Sequence, residues 1–512
     1  MVEQSGRSTQ RQTVRWWTLG VLGTAFFLVL LDATIVYVAL PRIQRELGFS
    51  AGDVHWIMTI YLLLFGGLLI FGGRVAAAVG WRRMFGIGTA VFVAGSALSG
   101  AAWSPGALLA GRAVQAIGAA LFAPTTLPLL AQAFDEVQRR RYALGVWTAI
   151  GALTGTAGLL IGGPLTDLAG WRSIFFLNVP VGIALLVMAS ILLPAARRSA
   201  GDSRAAMRQV DVTGAVALTA ALVLVTAAVA EIGRVQWAVT VGLLALSAVA
   251  FAAFAVVEAR APNPLVPTYL LRVRKRGGGL LVLFSAGVAV DGASLLLTLD
   301  LQGVRGYSAT MFGLVMTVMT LSSVVGSFVG QALAARGWLT VVAATSLALT
   351  GTGLIVLSAV EGSGGYVLLG LLVLGSGLGA AFVSGQIAVV SGAAPADSLP
   401  TSGLADTAFS IGGALGLATV STVLVHGQTT PPGLVPAAGF RFAFLTAAAL
   451  TMIGLAATLL LRRRRTAPAG GGGPVPPTLG ANPMRAPTVG WIGRSMPIPV
   501  SGNGRVANGG TH

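Results

Sequence analysis

Fourteen apolar runs follow one another along this chain, and each is long enough to cross a lipid bilayer as a helix. A membrane-spanning helix needs about 20 consecutive, mainly apolar residues. The candidate spans lie at 17–40, 54–75, 84–103, 107–133, 142–164, 173–194, 211–231, 236–257, 278–300, 309–333, 339–359, 365–391, 401–426 and 441–461. The pattern predicts an all-α polytopic membrane protein with fourteen transmembrane helices.

The composition agrees with a membrane protein and argues against an enzyme. Apolar residues make up 55% of the chain, charged residues make up 10%, and the mean hydropathy is +0.83. A soluble domain carries about 25% charged residues. The absence of cysteine excludes disulfides and thiolate chemistry. The sequence contains no catalytic constellation and no metal-ligand cluster, so we expect neither enzymatic activity nor a bound cofactor or metal.

The net charge of +17 is explained by the position of the charges rather than by nucleic-acid binding. Of the 33 lysines and arginines, 23 fall in segments that one orientation places on a single side of the membrane, and six fall on the other side. Cytoplasmic loops carry such an excess of positive charge. The distribution predicts an even number of spans with both termini in the cytoplasm. We expect the membrane to be the plasma membrane. The first run carries Asp32 and lacks a cleavage site, so it is not a signal peptide.

An internal repeat divides the chain into two similar halves. Three features recur in the same order at offsets of 257 to 261 positions: residues 73–81 and 330–338, residues 149–155 and 410–416, and Asp32 and Asp291. Spans 1–6 therefore correspond to spans 9–14, and spans 7 and 8 form an insert. Two parallel six-helix bundles predict a cavity at their interface that opens alternately to each side of the membrane.

The repeat and the charge pattern together predict five segments. They are a cytoplasmic N-terminus at 1–16, an N-terminal six-helix bundle at 17–194, two inserted helices and a basic linker at 195–277, a C-terminal six-helix bundle at 278–461, and a cytoplasmic tail at 462–512. The linker combines proline, leucine and a basic cluster, which suits a segment at an anionic membrane surface. The tail is rich in Gly, Pro, Asn and Ser and is expected to be disordered.

Several polar side chains lie inside the predicted spans, where an ionised group costs about 2.5–3.5 kcal/mol on insertion scales. Asp32 in span 1 is therefore expected to face a wet cavity or a partner, and it suggests proton or substrate handling. Arg112 and Gln115 in span 4 share one helix face, and the depth of Arg112 is compatible with a contact to Asp32. Asp291 and Asp406 are the other mid-span acids. The alternative is that these charges only bridge helices.

Span 5 carries a row of glycines that would let a neighbouring helix approach closely. Gly151, Gly155, Gly158 and Gly162 follow one another at spacings of four, three and four residues, and Gly163 comes next. Small residues at such spacings are typical of close helix contacts in membranes. Generic glycine packing is the alternative to a specific role.

Three segments resemble the major facilitator superfamily, and more narrowly its fourteen-helix drug:proton antiporters. They are LDATIVYVALP at 31–41, WRSIFFLNVP at 171–180, and Gly306-Tyr307-Ser308 after Gln302. The similarity extends over residues 15–465. It implies the major facilitator fold and proton-coupled efflux of hydrophobic drug-like or antibiotic compounds.

The resemblance also implies roles for individual residues. The expected proton-coupling residues are Asp32, Arg112, Asp291 and Asp406, and the expected substrate-cavity residues are Gln115 and Asn178. The conformational-switch motif between spans 2 and 3 is matched at Gly72, Gly73, Arg74, Gly80, Arg82 and Arg83, whereas Ala77 occupies its acidic position. The antiporter motif is matched by the span 5 glycines, with Leu159 at its proline position.

We therefore expect a monomeric transporter that binds a small hydrophobic substrate, protons and membrane lipids, and that uses the proton gradient without a cofactor. Protonation of Asp32 would remove a buried charge and change the side to which the cavity opens. One alternative is a proton-coupled uptake symporter for a small metabolite, which a polar cavity would favour. Another is a channel or a non-transporting scaffold, which the internal repeat and the three embedded acids disfavour.

Overall fold

Long α-helices account for nearly all of the computed structural model of the protein. It describes residues 2–134, 136–193, 210–261, 264–266, 268–359, 364–394, 397–426 and 437–458, so the predicted tail at 462–512 lies outside the described residues. Within these ranges there are fourteen long helices: α1 Val2–Leu47, α2 Trp56–Val79, α3 Trp81–Gly100, α4 Pro105–Ala133, α5 Val137–Ala169, α6 Arg172–Leu192, α7 Val212–Ala230, α8 Trp237–Arg260, α9 Arg274–Thr298, α10 Ala309–Leu333, α11 Leu339–Ser358, α12 Gly364–Val390, α13 Ser398–His426 and α14 Ala437–Ala457. A short helix, Thr268–Arg272, lies between α8 and α9.

Each predicted span corresponds to one of these helices. Among the described residues, twelve stretches are long and apolar enough to cross a membrane. One of them, Ala309–Ser358, contains both α10 and α11. Helix α3 is not among them because it begins with Arg82 and Arg83 and contains several small polar residues. The fourteen-helix prediction is compatible with this set.

We use "proximal" for the membrane side at which α1 begins and "distal" for the side at which it ends.

The two predicted bundles have the same helix packing. In α1–α6, helix α4 packs against α1, α2 and α3, while α5 packs against α1, and α6 against α1 and α3. In α9–α14, helix α12 packs against α9, α10 and α11, while α13 packs against α9, and α14 against α9 and α11. The predicted pseudo-repeat is thereby confirmed, while the limits of the five segments stay a prediction.

Equivalent glycines make the proximal turns of the two bundles. Gly80, between α2 and α3, has a φ of +108°, and Gly337, between α10 and α11, has a φ of +90°. Residues with a side chain rarely adopt positive φ, whereas glycine does so at no steric cost. The glycine of the 73–81 repeat and its counterpart in 330–338 are therefore required by the same backbone turn.

The bundles meet along two seams, α2 against α13 and α5 against α10. The inserted helix α7 packs on α8 and also on α2 and α13, so the insert lies over one of these seams. Side-chain caps begin three of the helices: Ser104, Asp211 and Ser308 accept backbone N–H groups at the starts of α4, α7 and α10, at 3.2, 2.7 and 3.1 Å. Such caps satisfy N–H groups that the helix itself leaves unpaired.

Candidate functional site

Asp32 lies at the centre of a hydrogen-bonded cluster inside the first bundle. Its Oδ2 accepts a hydrogen bond from Nη1 of Arg112 at 2.6 Å. Its Oδ1 accepts from Nε2 of Gln115 at 2.6 Å and from Nδ2 of Asn178 at 2.8 Å. The exposed fraction of all four side chains is 0%. Helices α1, α4 and α6 therefore converge on one carboxylate.

The guanidinium of Arg112 is held by more than its carboxylate partner. Its Nε donates to the Ile57 carbonyl at 3.2 Å, and its Nη1 also donates to Oε1 of Gln115 at 2.8 Å. The group lies 4.2 Å from the centre of the Tyr61 ring. Gln115 is fixed in turn by donating to Oγ of Ser96 at 2.8 Å. Removing one partner of a buried ion pair costs about 3–5 kcal/mol, so the pair depends on both of its charges.

The cluster keeps spare hydrogen-bonding capacity. Among the described residues, Nη2 of Arg112, Oδ1 of Asn178 and the hydroxyl of Tyr61 are buried without a hydrogen-bond partner. An unpaired buried donor or acceptor costs about 1–3 kcal/mol. A rearrangement that pairs any of these atoms would recover part of that free energy.

The two other mid-span acids have different surroundings. Asp291, the counterpart of Asp32, is 9% exposed, and its Oδ1 accepts from the hydroxyl of Tyr37 at 2.7 Å. This bond joins α1 to α9 and so connects the two bundles. Asp406 in α13 accepts from Nε2 of Gln386 in α12 at 2.8 Å, within the second bundle. Of the three acids, Asp32 is the one with an arginine partner.

Asp167 joins the distal ends of the two bundles. It lies near the end of α5, and its Oδ2 accepts from the backbone N–H of Thr310 at 2.8 Å and from the Thr310 hydroxyl at 2.6 Å. Its Oδ1 accepts from the N–H of Ala309 at 3.2 Å. Because α10 begins at Ala309, a carboxylate of the first bundle caps a helix of the second, and its negative charge suits that helix terminus.

The glycine row of α5 is divided between two neighbouring helices. Three members face side chains of α1, and a Cβ on any of them would overlap that helix: Gly151, Gly158 and Gly162. Gly163 lies against the backbone of Thr310 in α10, and Gly155 lies near Thr320 of the same helix. The close helix approach that the row predicts is present. The row winds around α5, so some of its glycines contact α1 and the others contact α10. The assignment of the row to an antiporter motif stays a prediction.

The residues of the predicted switch motif lie at the proximal ends of α2 and α3. Gly72 lies against the backbone of α4, where a Cβ would overlap a carbonyl, and Gly73 is in ordinary contact distance of the same helix. Arg82 donates to the carbonyl of Ser190 near the end of α6, and Arg83 is exposed. Arg74 donates to backbone carbonyls of the linker between α8 and α9.

A second group of charges fastens the distal loop between α7 and α8 to the loop between α1 and α2. Nη2 of Arg234 lies 2.8 Å from Oδ1 of Asp53. Burial acts to raise the pKa of Asp53, but hydrogen bonds from Ser50 and Arg234 outweigh it and hold the pKa below its usual range. Burial lowers the pKa of the neighbouring His55 to about 4, so its ring is neutral at neutral pH.

Two repeated helix bundles meet along two seams, and the first of them contains a buried ion pair. Residues 22–417 match the Major Facilitator Superfamily, and the chain belongs to that superfamily. It is 37% identical over 438 residues to the cephamycin export protein CmcT of Amycolatopsis lactamdurans, covering 84% of this chain and 89% of the relative. It is 35% identical over 435 residues to the puromycin resistance protein pur8 of Streptomyces alboniger, covering 83% and 85%.

Solved structures agree on the fold. The chain is similar to the crystal structure of a POT family transporter in complex with a thioalcohol-conjugated peptide, with a TM-score of 0.62 and 16% sequence identity. The similarity covers 87% of this chain and 96% of that one. At this identity the likeness concerns the fold alone.

Several contact residues of the site were not predicted from the sequence. Ser96, Tyr37, Asp167 and Gln386 each bind a residue or helix end of the site. Tyr37 lies inside the LDATIVYVALP segment, and this position is the sequence signal that could have marked it as a site residue. Ser96 lies among many similar small polar residues, so nothing in the sequence distinguishes it, and Gln386 carries no charge.

Proposed function

We propose that the protein exports hydrophobic antibiotic-like compounds across the plasma membrane in exchange for protons. In this proposal both termini are cytoplasmic, so the proximal side is the cytoplasmic one and the distal side faces outward. The substrate class and the direction rest on the relatives named for cephamycin export and puromycin resistance. We assign the proximal side to the cytoplasm because the proximal segments carry an excess of arginine.

The single observation that carries the proposed coupling is the fully buried pair of Asp32 and Arg112, 2.6 Å apart. Protonation of Asp32 would remove the negative charge that compensates Arg112. The loss of one charge from such a pair is worth about 3–5 kcal/mol, and about 5.5 kcal/mol moves a two-state equilibrium from 1:99 to 99:1. The free-energy change on protonation of this one carboxylate is therefore comparable to the amount needed to change which side of the membrane the cavity faces.

Gln115 and Asn178 would serve this step as positioning residues. Both side chains are fully buried and donate to Asp32, and we propose that they hold the ionised carboxylate. When Asp32 is protonated, Arg112 needs new acceptors. The unpaired Oδ1 of Asn178 lies in the same cluster. A polar substrate would have to compete for these groups, which favours efflux of hydrophobic compounds over uptake of a polar metabolite.

Asp291 is proposed as a second proton-binding group, acting at the interface between the bundles. Its bond to Tyr37 and the bonds of Asp167 to α10 both have to break before the distal side opens. A proton that reaches Asp291 from the distal side would weaken the first of these contacts, because a neutral carboxyl group accepts a hydrogen bond less strongly than a carboxylate.

The test is the variant Asp32→Asn in inverted membrane vesicles under an imposed pH gradient, with puromycin as the first probe. We expect pH-driven accumulation to be lost, while energy-independent exchange of labelled puromycin across the membrane continues. Asp300→Asn is the matched control. Asp300 pairs with Arg305 on the distal side at 2.9 Å, and we expect this variant protein to transport puromycin normally. Wild-type pH-driven accumulation by Asp32→Asn would refute the proposed coupling.

A further inference from the structure

The linker that follows the inserted helices is bound on both sides by charged residues. Arg74, at the proximal end of α2, donates to the carbonyl of Pro264 and, at 3.4 Å, to the carbonyl of Leu265. Glu258, at the end of α8, accepts the backbone N–H of Val266. The arginine thus faces carbonyl oxygens of the segment 264–266, and the glutamate faces an N–H of the same segment. Each charge interacts with the favourable end of the peptide dipoles.

Apolar packing holds the same segment in place. Leu265 and Val266 are 2% and 9% exposed, and they form a buried cluster with Ile70 of α2 and Ala215 of α7. Glu258 is itself 7% exposed. The negative charges of Glu258 and of the α7 cap, Asp211, act on the Arg74 guanidinium. Residues 264–266 are therefore packed against α2 and are not an exposed part of the linker.

We propose that the inserted helices supply the counter-charge that the switch motif lacks at Ala77, and that they use it to dock residues 264–266 on α2 as a strap. In this arrangement Glu258 acts on Arg74 through the peptide groups of the strap. The two inserted helices thereby become part of the proximal closing device. The strap sets the balance between the open and closed proximal states, independently of the substrate and of proton coupling.

The far end of the strap is fastened to the second bundle. The hydroxyl of Tyr269 donates to Oδ1 of Asp397 at 2.6 Å, immediately before α13. Tyr269 is four positions beyond Leu265, so the docked strap reaches at most about 14 Å. If the strap detaches from Arg74, the free chain runs from Arg260 to Tyr269 and reaches about 31 Å. Docking therefore limits how far α2 and the start of α13 can separate on the proximal side.

The experiment measures the separation of the bundles on the proximal side. Spin labels on cysteines replacing Arg83 and Arg336, which are exposed in the proximal turns of the two bundles, give this distance without background, because the chain has no native cysteine. We expect Arg74→Gln and Glu258→Gln each to raise the ratio of widely separated to close forms by about two- to fivefold, the range of one partly exposed charge contact. The double variant should add nothing further.

Three comparisons make the test specific. Arg139→Gln is the matched control: it removes a proximal arginine outside the motif, whose ion pair with Glu136 lies at the start of α5 within the first bundle, and it should leave the distances unchanged. Leu265→Ala should widen the separation without altering a charge, which covers the case that a charge variant fails to fold. Exchanging the charges in Arg74→Glu/Glu258→Arg should not restore the wild-type distances, because each charge would then face the wrong end of the peptide dipoles.

The opposite results would overturn the proposal. Additive effects of Arg74→Gln and Glu258→Gln would mean that the two residues act independently. Restoration by the exchanged pair would indicate a direct ion pair that does not involve the strap. Unchanged distances in Glu258→Gln and Leu265→Ala would show that the linker does not restrain the bundles at all.

Discussion

Removing the carboxylate of Asp167 should shift the protein toward the state that is open on the distal side. The carboxylate accepts three hydrogen bonds from the first residues of α10, and opening the distal side has to break them. Water can reach this site and replace part of the lost bonding, so the net value is closer to that of a helix cap, about 1 kcal/mol, than to three buried bonds. One kcal/mol corresponds to about a fivefold change in the open-to-closed ratio. We expect this increase in Asp167→Ala and a smaller one in Asp167→Asn, which keeps a capping oxygen.

The assay is the rate at which a membrane-impermeant maleimide labels one cysteine from the distal side. A cysteine in place of Ser294 suits it, because this residue is 5% exposed and lies on the same face of α9 as Asp291, three positions nearer the distal end. Glu46→Gln is the matched control, since the distal carboxylate of Glu46 binds Arg42 and Arg172 within the first bundle. A labelling rate that stays at the wild-type value in Asp167→Ala, or an equal increase in Glu46→Gln, would refute the idea that Asp167 holds the bundles together.

Three further changes test other contacts of the site. Arg112→Lys should abolish pH-driven transport in inverted vesicles, because one ammonium group cannot reproduce the planar donor pattern; normal transport would make Arg112 a simple point charge. Tyr37→Phe should raise distal labelling of the same cysteine, since Asp291 loses its donor at a cost of about 1–3 kcal/mol, and an unchanged rate would count against this contact. The pKa of His55 is about 4 rather than 6.5, so its stabilising contribution is complete above pH 6.5 and declines as the pH falls toward 4, by about 2 kcal/mol at pH 5. The fall in Tm between pH 7 and pH 5 should therefore be smaller in His55→Gln than in the wild type, and an equal fall would contradict this role.

The helices and one contact of the site could be predicted from the sequence because they depend on local pattern and on depth. The apolar run at 309–333 has the same limits as α10. The depths of Asp32 in span 1 and Arg112 in span 4 are compatible with a contact, and the structure places the two side chains 2.6 Å apart. By contrast, the first span was predicted at 17–40, whereas α1 begins at Val2. Hydropathy ends where polar residues begin, but a helix continues beyond the bilayer as long as its backbone hydrogen bonds are kept.

Contacts between the bundles could not be predicted from the sequence, for a physical reason. The bonds of Tyr37 to Asp291 and of Asp167 to Thr310 join residues more than a hundred positions apart. They depend on the rotation of each helix and on the tilt of one bundle against the other. Apolar periodicity in a membrane helix is weak because lipid and protein interior are both apolar, so it does not define these rotations. Gln115 and Asn178 were expected at a substrate cavity, but their place against Asp32 became visible only from the helix rotations.

The pairing of Asp32 with Arg112 also has an electrical consequence. The ionised pair carries no net charge, whereas the proposed protonated form leaves the single positive charge of Arg112 inside the bundle. A charge that crosses a membrane gains or loses about 2.3 kcal/mol per 100 mV, and a group partway through the bilayer experiences a fraction of this. An inside-negative potential would draw the proton-loaded form toward the cytoplasm. Export would then respond to membrane voltage even when the pH is the same on both sides.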